Sequence, residues 1–110
     1  MEVPFHPEAS EELRALPVGE RIALLAAVEK LEAYGDRLGF PHTSSVRGAD
    51  RLRELRPRAG RSPWRAFYRR IGDALVIAAV GPEAEVDPRG FRAAVRSAER
   101  RLAQIEEEGR

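Results

Sequence analysis

An α+β fold is predicted, with an N-terminal helical hairpin, an antiparallel sheet of three to four strands and a C-terminal helix. Three observations predict it. Apolar residues recur at helical spacing as far as Tyr34, the pattern changes to period two from Arg51, and helical spacing returns from Pro88. The length of 110 residues, with 43% hydrophobic and 34% charged residues, suits one domain spanning residues 1–110 and burying one modest core.

The first helix is read from Pro7 to Leu16, with Ala9, Leu13 and Leu16 on one stripe and acids crowding the first turn, where the helix dipole favours them; Pro17 ends it. A second helix runs from about Val18 to Tyr34 on Leu24, Val28 and Leu31, with Ile22 and Leu25 widening the stripe and Gly35 as the stop. Glu2–Phe5 is a candidate short edge strand. Asp36–Asp50, with two Gly, one Pro and two Ser, keeps no period and reads as a loop. Three strands follow, Arg51–Arg58, Pro63–Ile71 and Ala74–Val80, joined by Ala59-Gly60-Arg61-Ser62 and by Gly72-Asp73 as a meander. Both faces of Ala74–Val80 are apolar, so that strand is expected inside the sheet. The last helix, Pro88 to Glu107, lines up Phe91, Ala94, Val95, Ala98, Leu102 and Ile105.

Composition removes several kinds of chemistry. There is no cysteine, which excludes disulfides, thiolate zinc sites and a cysteine nucleophile, and His6 and His42 are too few for a histidine-rich metal site. No metal or cofactor is expected. No apolar run is long enough to cross a bilayer, and the opening MEVPFHPEASEEL is acidic where a secretory signal is basic and then apolar. A cytoplasmic protein with no membrane partner is expected.

The net charge of +1 conceals segregation: residues 1–46 carry four bases against eight acids, residues 47–70 carry nine arginines against Asp50 and Glu54, and residues 71–110 carry six bases against eight acids. A clustered arginine block suits a polyanion such as RNA, whose phosphates it neutralises without regard to sequence. It is equally what a solvated basic face looks like. With eighteen Arg to one Lys, the choice of Arg over Lys carries no information about bidentate recognition.

The residues carry a resemblance. Phe5, Glu8-Ala9 and Leu13, then Leu16-Pro17, Leu38, Pro41, Val46-Arg47-Gly48, Glu54-Leu55-Arg56 and above all Trp64-Arg65-Ala66-Phe67-Tyr68 resemble the RelE/HigB toxins of bacterial toxin–antitoxin pairs, in the phage-derived HigB-like branch. The likeness runs from Phe5 to Leu102, and its most specific part is the ELR strand followed one hairpin later by the aromatic-Arg-x-aromatic-Tyr strand. It implies a metal-independent endoribonuclease that cleaves mRNA on the ribosome and inhibits translation. Its implied partners are mRNA, the ribosome and a cognate antitoxin of helix-turn-helix type.

Metal-free RNA cleavage uses the 2′-hydroxyl as internal nucleophile, so the protein must align that oxygen, stabilise charge on the phosphorane and help a proton off and another on. Arginine serves the charge and not the proton. By similarity to the family's strand arginine, Arg65 is the first candidate for contact with the phosphate, followed by Arg56 and then Arg89. Alternation places Arg65, Phe67 and Arg69 on one face of their strand and Trp64, Ala66 and Tyr68 on the other. The first set forms either a basic surface with Phe67 as a stacking platform for a base, or a face packed under the last helix; the second set reads as core. Further RNA contacts are expected from Arg47, Arg53 and Arg58 in the block, and from Arg92 and Arg96, which lie opposite the apolar stripe of the last helix. His42 is a weaker candidate for a general base, and His6 weaker still.

The sequence departs from the family after the third predicted strand. Many relatives place basic pairs there; this chain has Glu83, Glu85 and Asp87. The acidic loop either repels RNA, or supplies carboxylates for general base work while Arg89 and Arg92 take over the charge role, or is a solvated loop with Asp87 as helix N-cap and Pro88 at N1. Two other functions fit: a ParE-type inhibitor of DNA gyrase that cuts no RNA, and a degenerate member that only binds RNA or antitoxin.

Overall fold

In the structure, a computed structural model describing residues 1–109, helix α1 spans Pro7–Arg14. His6 caps it by accepting the Glu8 N–H on Nδ1 at 3.1 Å, and Pro7 supplies the first-turn φ. Helix α2, Val18–Tyr34, stops at Gly35, whose φ of 57° lies in the left-handed region that suits glycine. Leu24, Val28 and Leu31 are buried as their spacing predicts. Ile22 and Leu25 are exposed instead of widening that stripe, because α2 meets the rest of the protein along a single row. Ile22 faces a groove of about 320 Å³ between α2 and the segment around Arg58.

Four antiparallel strands lie in chain order, β1 (Thr43–Ser45), β2 (Arg53–Leu55), β3 (Trp64–Ile71) and β4 (Ala74–Pro82). Strand β1 falls inside the segment expected to be a loop. Three residues are too few to show a period, and what fixes them is pairing with β2 together with the buried Thr43, whose hydroxyl donates to Leu38 O at 2.6 Å. Strand β2 is shorter than the expected Arg51–Arg58 because Pro57 opens a 3₁₀ turn, Pro57–Gly60, with Arg58 and Ala59 at φ 54° and 55°. The N-terminal segment lies along the sheet edge as expected, though not as a continuous strand. It makes isolated parallel bridges from Glu2 to Ala74 and from Phe5 to Ile77, which leaves β4 paired on both sides.

Strands β3 and β4 are covered on both faces. Toward the helical hairpin lie Leu55, Ala66, Tyr68, Leu75 and Ile77 with Leu13, Leu24 and Leu31; toward α3 (Pro88–Glu108) lie Phe67, Val76, Ala78 and Ala79 with Ala98 and Leu102. A β-bulge next to Phe67 sets Phe67 opposite Ala79 and Tyr68 opposite Ile77, so that Ala78 and Ala79 both face α3. Glycine is required at position 81: a Cβ there would lie 2.5 Å from the Ala94 Cβ, so only glycine lets α3 approach β4 this closely. Asp87 caps α3 by accepting the Gly90 N–H at 2.9 Å, in agreement with the N-cap reading.

Arg101 spans the two sides of the sheet. Its buried guanidinium donates to Glu12 by two bonds of 3.0 Å and to Ala78 O at 2.8 Å, and it pairs with Glu8 at 2.8 Å. Glu12 in turn accepts the Val80 N–H. Helices α1 and α3 are thereby tied to each other and to β4.

Candidate nucleic-acid interface

Helix α3 packs on β4 and β3, and at β1 and β2 the same face of the sheet stays polar and partly exposed. Register sets its members. Ser44 lies opposite Glu54 and Glu54 opposite Phe67, so all three side chains share the α3-side face, and Arg65, opposite Gly81, lies on that face two residues from Phe67.

Arg65 is 3% exposed. Its Nη1 donates to Ser62 O at 2.6 Å and to Trp64 O at 2.9 Å, and its Nη2 to Gly60 O at 3.3 Å, so it closes the β2–β3 connection from inside. Carboxylates flank it, Glu54 at 3.6 Å and Glu83 at 3.9 Å. Burial, the largest influence, lowers its pKa, against the opposing pull of Glu54. This corrects the expectation that Arg65 is the direct phosphate contact: its donors face loop carbonyls and a phosphate has no route to them in this conformation.

Arg56, just past β2, is better placed. Its Nη1 donates to Glu54 Oε1 at 3.1 Å, its Nε donates to Pro41 O at 3.0 Å, and its guanidinium lies 5.2 Å from the centre of the exposed Phe40 ring, while the side chain stays partly open to solvent. The remaining candidates are dispersed. Phe67 is 0% exposed and packs edge-on to Phe91 with centroids 5.4 Å apart, which removes it as a stacking platform for a base. Arg69 is buried and donates to Glu106 at 2.7 Å and to Asp50 O at 2.8 Å. The expected basic surface of Arg65, Phe67 and Arg69 is therefore a covered face, because α3 lies on it. Arg53 is on the opposite face and donates to the Ser45 and Thr43 hydroxyls. Arg58 pairs with Glu20 at 2.7 Å, which holds that carboxyl below its ordinary range together with the Ser62 hydroxyl. Arg47, Arg89, Arg92 and Arg96 are exposed and have no ion-pair partner among the described residues. Arg89 stands on the first turn of α3 and makes no bond to the Arg56 cluster.

His42 lines the groove beside α2 rather than this face, and His6 is engaged as a helix cap. Sequence reading passed over Glu54, although its place in the ELR strand, opposite Phe67 on the arginine-bearing face, was open to the same alternation. Among the described residues, no three His, Asp or Glu side chains are grouped to hold a metal ion, and no helix is long and apolar enough to cross a membrane.

A four-stranded antiparallel sheet with a helical hairpin on one face and a closing helix on the other is the fold of the RelE toxins. The free-state structure of a mutant E. coli toxin RelE superposes with a TM-score of 0.61 at 21% identity, covering 86% of this chain and 94% of that one. The isolated E. coli RelE toxin gives 0.58 at 20%, covering 84% and 96%, and the archaeal RelE–RelB complex from Pyrococcus horikoshii OT3 gives 0.51 at 24%, covering 74% and 92%. The chain belongs to the family described as phage derived protein Gp49-like, whose model matches residues 11–81. That span contains the ELR and Trp-Arg-x-Phe-Tyr strands on which the resemblance to the phage-derived branch rests. No curated protein matches the sequence significantly.

Proposed function

We propose that the chain is the toxin of a toxin–antitoxin pair and acts as a ribosome-dependent mRNA endoribonuclease in the cytoplasm. The observation that carries this reading is the polar corner of a RelE-type sheet, where the partly exposed Arg56 adjoins a carboxylate at 3.1 Å on a face that α3 leaves open. Arg56 takes the phosphate-contact role first assigned to Arg65, because it is the guanidinium of the pair that a phosphate can reach. Arg89, Arg92, Arg96 and Arg47 supply longer-range attraction to RNA. The partner is a cognate antitoxin encoded beside it: a relative of the same fold is known in the intact E. coli RelBE toxin–antitoxin complex, with a TM-score of 0.54.

Induced expression without the antitoxin is expected to arrest growth, with new mRNA 5′ ends appearing only in translated messages. Arrest with intact mRNA and inhibited gyrase supercoiling selects the ParE-type activity instead. Unaffected growth selects a member that binds without cutting.

A further inference from the structure

Cleavage through the 2′-hydroxyl needs a group that takes its proton, and a guanidinium stays protonated near neutral pH. The obvious acceptors lie elsewhere: His6 caps α1, His42 lines the α2 groove, and Tyr68 is buried toward the hairpin. On the open face beside Arg56 the available acceptors are carboxylates. Glu54 Oε1 accepts from the Ser44 hydroxyl at 3.0 Å and from Arg56 Nη1 at 3.1 Å, and it lies 3.6 Å from Arg65 Nε. That Arg65 Nε is buried with no hydrogen-bond partner. All of these contacts fall on Oε1, and none of the hydrogen bonds among the described residues reaches Oε2. Glu83, on the far side of Arg65 at 3.9 Å, accepts the Val86 N–H on Oε1 and, unlike Glu54, makes no ion pair with Arg56, the guanidinium that a phosphate can reach.

From this geometry, and resting on the endoribonuclease reading above, we infer that Glu54 is the general base of the site, with Arg56 holding the scissile phosphate and Ser44 and Arg65 acting as positioning residues. Glu54 Oε2 takes the 2′-hydroxyl proton while the 2′-oxygen forms the new bond to phosphorus. The bond from phosphorus to the 5′-oxygen breaks with its electron pair on that oxygen, which takes a proton from water; the hydroxide so formed is neutralised by the proton Glu54 then releases. The products are a 2′,3′-cyclic phosphate and a 5′-hydroxyl. A carboxylate is a weak base toward a hydroxyl, so the step gains most from an RNA already held in line, which is what a ribosome supplies. A separate acid/base pair is then unnecessary.

The test is single-turnover cleavage of mRNA on purified translating ribosomes across a pH series, with the wild type and the Glu54→Gln and Glu54→Asp variants. Glu54→Gln is expected to slow cleavage by about 10²–10⁴-fold and to remove the fall in rate toward acidic pH. Glu54→Asp should give an intermediate rate and keep that fall, and it decides the matter if the Gln variant does not fold. A message with a 2′-deoxy nucleotide at the cut site should resist the wild type. Wild-type rates in both variants, with the pH profile unchanged, overturn the assignment of Glu54 and leave the endoribonuclease reading standing. A wild type that leaves mRNA intact overturns both.

Discussion

Replacing Arg101 by leucine is expected to be the most destabilising single change at any charged position. The leucine keeps much of the apolar stem but leaves Glu12, Glu8 and the Ala78 carbonyl without their shared donor. Removing one partner of a buried pair costs about 3–5 kcal/mol, largely because the other charge stays behind. Glu12 is partly exposed and keeps the Val80 N–H, so it rehydrates and the loss falls below that range, to about 2–3 kcal/mol. For a domain of this size that is a fall in Tm of roughly 10–20 °C. Urea unfolding followed by circular dichroism measures it, and a cycle with Glu12→Gln isolates the pair, with a coupling of at least about 1 kcal/mol expected. A change below about 0.5 kcal/mol for Arg101→Leu, or strict additivity in the cycle, would refute the claim that this network ties α1 to α3.

Gly81→Ala should destabilise by about 1–3 kcal/mol in the same assay, because its Cβ would meet that of Ala94 at 2.5 Å and force α3 off β4; a neutral result would mean α3 shifts freely. Stability should fall on acidification. The Glu20 carboxyl is held low by Arg58 and Ser62, and that of Glu106 by Arg69 first and Arg51 as well, so their contribution is present above the ordinary carboxylate range and is lost as pH drops through it. Urea midpoints of Glu20→Gln/Glu106→Gln should therefore depend less on pH than those of the wild type. Binding of unstructured RNA should weaken with salt at a slope of about −3 to −4 in log–log form, corresponding to Arg47, Arg56, Arg89, Arg92 and Arg96 at about −0.7 each; a slope of about −10, which all nine block arginines together with the five on α3 would require, is the contrary outcome.

The helices and the order of the strands could be read from the sequence because each rests on a period longer than its own turn: Leu24, Val28 and Leu31 on α2, and Ala94, Ala98 and Leu102 on α3. Strand β1 could not, since three residues are too few to show a period and their pairing with β2 is what fixes them; the early end of β2 had a local signal in Pro57, which the period-two reading ran across. Arg101 lay in plain view, a charge inside the apolar stripe seven residues after Ala94, yet its meaning depends on Glu12, 89 residues away. The two readings of the β3 face were equally compatible with alternation. Only the packing of α3 on Phe67 decided between them.

The arginine block shows most directly how a sequence-level charge changes its meaning on folding. Of its nine arginines, Arg51, Arg56, Arg58, Arg65, Arg69 and Arg70 form ion pairs, and the partners are drawn mainly from the acidic thirds of the chain: Glu20 and Asp36 before the block, Glu83 and Glu106 after it. The segregation along the sequence is thus largely undone in space, and what it encodes first is the docking of α2, the Glu83 loop and α3 around the sheet. The surface left for a polyanion is smaller than the count of residues suggests, and it lies chiefly on exposed residues of α3 and at Arg56 and Arg47. On the proposed endoribonuclease reading, so few free cations would bind RNA weakly without help. Selectivity would then come from a scaffold that presents the message, and dependence on the ribosome would follow from the charge distribution rather than stand as an added requirement.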